Sequence, residues 1–145
     1  MGEAVTDHDD VVALLGRYSD SAYRKDVEAF MSMYASEVRV FDLWGSWEVK
    51  GASSWRDGIA GWFESLGAGR VVCEFTDVEV FTGGDLAALS AMIQYSGESP
   101  EGAIEREMAN RLTWTLTRVN GVWRVIHEHT SAPVDMGSSK VILAR

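Results

Sequence analysis

Two alternating runs meet at Asn120-Gly121, and that junction leaves the chain little conformational choice. Both residues tolerate positive φ, so AIEREMANRLTWTLTRVNGVWRVIHEHTS, residues 103–131, reads as two long strands joined by the turn Val119-Asn120-Gly121-Val122. Side chains alternate faces along a strand. Ile104, Met108, Asn110, Leu112, Trp114 and Leu116 should therefore share one face, opposite Glu105, Glu107, Arg111, Thr113, Thr115 and Thr117. On the second strand Trp123, Val125, His127 and His129 are expected together, opposite Val122, Arg124, Ile126, Glu128 and Thr130. Polar groups on such aromatic-aliphatic faces cost stability unless paired, which makes Asn110, His127 and His129 candidates for lining a pocket.

The chain has 145 residues, 46% of them hydrophobic and six of them Trp, enough for one well-packed domain. A single domain over 1–145 is expected, its core at about 6–131 and a tail at 132–145. A net charge of −9 argues against nucleic acid or an anionic membrane as the main partner. One cysteine allows no intrachain disulfide, and the acidic start MGEAVTDHDD lacks an apolar leader. These features predict a soluble cytoplasmic protein.

Ahead of the strand pair the spacing changes. Thr6-Asp7 reads as an N-cap, and Val11, Leu14, Leu15, Tyr18 and Ala22 follow at helical intervals over 6–24. Asp26 can cap a second helix, VEAFMSMYA, with Phe30, Met31 and Tyr34 inward. VRVFDLWG alternates as a strand whose apolar face (Val38, Val40) ends in Asp42, and WEVKG reads as a short strand after it. Residues 52–66 carry Trp55, Ile59, Trp62, Phe63 and Leu66 at helical spacing, stopped by Gly67 and Gly69. Residues 71–81 and 86–96 form a hairpin around Gly83-Gly84, and KVIL (140–143) is a candidate edge strand. The layout is α+β, a helical layer on a mainly antiparallel sheet.

Asp42 and Tyr18 are the leading chemical candidates. A carboxylate at an apolar mouth has raised proton affinity and can act as a general base; a buried phenol can donate to an oxygen that gains charge. Each also has a structural reading, as a strand-end turn former and a core aromatic. His127 and His129, about 7 Å apart along one strand, could shuttle protons or supply two metal ligands, or hydrogen-bond Asn110 or Tyr18. A metal needs a third ligand, and only His8 or Asp42 offers one, so no metal is assigned. Asn110 could orient a carbonyl or fix strand register. Glu128 is expected on the outer face, paired with Arg111 or Arg124. Phe30, Trp44, Trp62, Trp114 and His129 are the candidates for contacting an apolar ligand. Phosphate loops, dinucleotide fingerprints and serine elbows are missing from the sequence, and no cofactor is expected.

The stretch VVALLGRYSDSAYRKDVEAFMSMYASEVRVFDLWGSWEVKG and the ending GVWRVIHEHTS resemble SnoaL-like and ketosteroid isomerase-like proteins of the nuclear transport factor two-like superfamily. The resemblance implies a curved, mainly antiparallel sheet wrapped around N-terminal helices to form a cone-shaped cavity. It also implies that Tyr18 donates to an oxyanion, that Asp42 moves a proton, and that Asn110 stands near the position of a second oxyanion donor. The His-Glu-His ending departs from the isomerase pattern. The expectation is a cofactor-independent isomerase, cyclase or dehydratase acting on a small apolar carbonyl compound. Catalysis would rest on Asp42, Tyr18, Asn110 and His127, in a homodimer. The alternatives are a non-catalytic ligand-binding or dimerisation domain and a His-x-His metal enzyme.

Overall fold

A computed structural model describes residues 2–145, with side chains from Asp7 onward. The first helix, α1, runs Gly2–Arg24, so Thr6 lies inside it rather than at its cap, and Thr6's side chain is outside the described residues. Its apolar stripe, Val11, Leu15, Tyr18 and Ala22, is buried. Lys25 (φ 57) turns the chain, and the Asp26 carboxylate accepts from the Ala29 amide at 3.0 Å to open α2, Val27–Met31.

Here the helix is shorter than its sequence pattern suggests. Tyr34 already belongs to β1 (Tyr34–Phe41), and Met33, not Met31, is the fully buried methionine. The cause is tertiary: the Val125 amide donates to the Met33 carbonyl at 2.8 Å, and Tyr34 pairs with Val125. Strand pairing outweighs local helix propensity.

Next come β2 (Val49–Lys50), α3 (Ala52–Ser65) and four long strands, β3 (Arg70–Gly83), β4 (Leu86–Glu98), β5 (Ile104–Val119) and β6 (Val122–Ser131). They form one six-stranded sheet in the order β2-β1-β6-β5-β4-β3, antiparallel everywhere except where β1 runs parallel to β6. Asn120 (φ 53) and Gly121 (φ 77) make the expected two-residue turn. One side of the sheet carries the core, where Trp114, Leu116, Val38, Val40 and Val125 are sealed beneath α1, α2 and α3. KVIL does not become a strand. The tail makes a single bridge, Val134 to Val141, and the Ala109 amide donates to the Leu143 carbonyl at 2.7 Å. No helix among the described residues is long and apolar enough to cross a membrane.

Register shifts bend the sheet near Asp77, near Gly97 and between Thr115 and Leu116. The third corrects the reading of β6. Thr115 pairs with His127 and Leu116 with Val125, which leaves Ile126 as an extra residue. A bulge of one residue inverts every side chain beyond it. Trp123 and Val125 face the core as expected, but beyond the bulge Glu128 (2% exposed) and Thr130 (5%) face it too. His127 and His129 therefore lie on the outer face, and Glu128 pairs with neither Arg111 nor Arg124.

Candidate active site

Between α3 and the concave side of the sheet lies a cavity of about 780 Å³. The parallel pairing of β1 with β6 sets Val40 beside Glu128. Asp42, just past the strand end, comes next to Thr130, whose hydroxyl donates to Asp42 Oδ1 at 3.0 Å and accepts from the Leu43 amide at 2.8 Å. Asp42 and Glu128 thus sit on neighbouring backbones, roughly 8 Å apart by strand geometry, and both line the cavity.

Glu128 has the more unusual setting. Its Oε1 accepts from the Tyr34 hydroxyl at 2.6 Å and from Trp114 Nε1 at 2.9 Å. Oε2 has no partner among the described residues. Burial pushes the carboxyl up to about 7 against the pull of those two donors, and the Asp42 charge adds to the rise. Near neutrality this acid can either give or take a proton. Partial burial also raises Asp42, with the Thr130 hydroxyl and the Trp44 and Leu43 amides holding it back.

The floor is phenolic. Tyr18, from the buried stripe of α1, and Tyr95, from β4, share a hydrogen bond at 3.0 Å. Burial raises both far above their ordinary value of 10, so both stay neutral. Whichever hydroxyl accepts keeps its own proton, with no other protein acceptor in reach among the described residues. That proton is available to an oxygen in the cavity. Asn110, on β5, is 7% exposed and its Oδ1 has no partner. A buried amide without a partner in a cavity wall is a ligand contact in waiting.

Of the residues singled out from sequence, Tyr18, Asp42, Asn110, Trp44 and Trp62 line this cavity. Trp62 forms a wall, edge-on to Tyr95 at 6.2 Å, while Trp44 stands 55% exposed at the rim. Phe30 and Trp114 are sealed behind the lining: Phe30 packs under Tyr18 at 4.7 Å, and Trp114 spends its N–H on Glu128. His127 and His129 are outside. His127 Nδ1 lies 2.7 Å from the Arg39 carbonyl, and both rings pack edge-on against Phe41. Among the described residues no three His, Cys, Asp or Glu side chains gather as a metal site would require. Sequence reasoning missed Glu128, Tyr34 and Tyr95. Only the adjacent aliphatics Val125-Ile126 hint at the bulge that turns Glu128 inward.

A family model described as the SnoaL-like domain matches residues 11–135. None of the curated proteins matches the sequence. Among solved structures, an NTF2-like protein of unknown function from Pseudomonas putida KT2440 is 25% identical, with TM-score 0.84 over 96% of this chain and 95% of that one. A candidate dehydratase of the NTF2-like family from Streptomyces avermitilis is 16% identical, with TM-score 0.77 over 91% and 99%. Aln2 from a Streptomyces species is also 16% identical, with TM-score 0.75 over 86% and 88%.

Proposed function

The chain belongs to the SnoaL-like domain family, and from that premise we propose that it is a cofactor-independent acid–base enzyme acting on a small apolar carbonyl compound. The reaction is of isomerase, cyclase or dehydratase type. One observation carries the reading: two carboxyl groups of raised proton affinity face an apolar cavity floored by neutral phenols. Asp42 takes a proton from the carbon next to the carbonyl. The Tyr18–Tyr95 pair, with Nδ2 of the Asn110 amide, donates to the oxygen as it becomes an enolate, while Asn110 Oδ1 is left to accept from a ligand hydroxyl. Glu128, protonated part of the time near neutral pH, returns a proton elsewhere on the skeleton. It takes the second acid–base role that sequence alone gave to His127. The dehydratase assignment of the Streptomyces avermitilis neighbour is compatible with this class of chemistry.

The test is exchange of the α-protons of 2-tetralone, a bicyclic ketone, followed by NMR in deuterated buffer. The protein should accelerate exchange over buffer, and Asp42→Asn should remove roughly 100-fold or more of that acceleration. Saturable binding without acceleration would instead support a non-catalytic ligand-binding domain. The two hydrogen bonds to Glu128 Oε1, which a purely structural acid would also want, favour that second reading. The outer face of the sheet, with Thr113, Thr115, Arg111 and the Phe41–His127–His129 cluster, is neither strongly charged nor strongly apolar. We read it as the mate of its twin in a homodimer.

A further inference from the structure

The cavity-facing positions of β5 change in character from mouth to floor: Arg106, then Met108, then Asn110. Arg106 is exposed, and its guanidinium has no hydrogen bond or ion pair with any described residue. By contrast Arg24, Arg39, Arg56, Arg118 and Arg145 each hold a carboxylate. It is also the one cation lining the cavity among the described residues; the other charged groups there, Asp42, Glu107 and Glu128, are acids. Its chain neighbour Glu107 is turned to β4, where Gln94 Nε2 and Ser96 Oγ donate to it at 3.2 and 3.4 Å. Opposite Arg106 on β4 stands Gly97, and a Cβ built there would already touch the Arg106 Cβ at 4.0 Å. The missing side chain leaves room for a ligand group beside the arginine stem.

We propose that the ligand is a flat apolar molecule carrying a carboxylate at one end, which pairs with Arg106 at the mouth while a carbonyl or hydroxyl oxygen reaches Asn110 and the phenols. This rests on the reading of the cavity as a site for a small apolar carbonyl compound and adds the acidic group and the direction of entry. A guanidinium presents a planar fork that fits a carboxylate with two parallel hydrogen bonds. The Asp42 carboxylate repels a second carboxylate from the depths, where burial already disfavours the charged form of Glu128, so one end of the ligand is attracted at the rim and the same end is rejected below. Arg106 stands four positions before Asn110 on β5, about 13 Å along the strand, a span that a fused bicyclic acid covers with a hydrogen bond at each end.

The test compares 6-hydroxy-2-naphthoic acid with its uncharged primary amide by titration calorimetry, on the native chain, Arg106→Gln and Arg106→Lys. The native protein should bind the acid at least tenfold tighter than the amide. Arg106→Gln should abolish that preference by weakening the acid at least tenfold more than the amide, and Arg106→Lys should keep part of it. Equal affinities in the native protein, or a preference that survives Arg106→Gln, would overturn the assignment of Arg106 and leave the cavity reading standing. Failure of the native protein to bind either compound would overturn both.

Discussion

Glu128 carries the energetic tension of the site. Its ordinary value of 4.5 rises to about 7 in the folded chain, chiefly because burial penalises the charged form. The folded state therefore keeps a proton that the unfolded state releases. The stabilisation is complete below about pH 4.5, fades as pH climbs, and is gone above about 7. At about 1.4 kcal/mol per unit, the loss is on the order of 3 kcal/mol. Glutamine keeps the shape, and its carbonyl can accept from both Tyr34 and Trp114, but it does not titrate. Guanidinium unfolding at pH 5 and pH 8 should thus show Glu128→Gln gaining on the native protein as pH rises. Parallel pH dependence in the two proteins would mean that Glu128 is ionised throughout. Tyr18, Asp42 and Asn110 could be read from sequence as cavity residues because each sits on an element whose phase is set locally, by helical spacing or unbroken alternation. Glu128 could not, since its direction depends on a bulge formed only when β6 meets β5.

Among the elements, α2 shows how little separates helix from strand here. It is five residues long, too short to be stable alone. Its start is fixed by the Asp26 carboxylate on the Ala29 amide, its end by the capture of Met33 and Tyr34 by β6. Asp26→Ala should cost about 1 kcal/mol and lower the thermal midpoint by about 2–4 °C, read by calorimetry. An unchanged midpoint would mean that the strand alone sets the position of α2. The long strands, the Asn-Gly turn and α3 could be read from the sequence because period and turn chemistry agree there. The end of α2 could not, because VEAFMSMYA is a good helix by spacing and only a partner nearly a hundred residues on cuts it short.

At the scale of the molecule, Arg118 ties the start of the chain to the far hairpin. It pairs with Asp7 of α1 and with Asp85, donates to the Gly84 carbonyl, and lies over the Trp123 ring. That clamp holds α1 across the sheet, which leaves the other face of β5 and β6 bare. Sedimentation equilibrium should give a mass near twice the 16.0 kDa of one chain; a mass near one chain would leave that face exposed to solvent. The parallel seam between β1 and β6 has a further consequence. It joins segments 88 residues apart, as the contact of Asp42 with Thr130 shows. During synthesis Asp42 and Glu128 would be strangers until the closing strand leaves the ribosome and slides in beside the first, so a nascent chain carries Tyr18 and Asp42 through most of its growth before the second cavity acid exists.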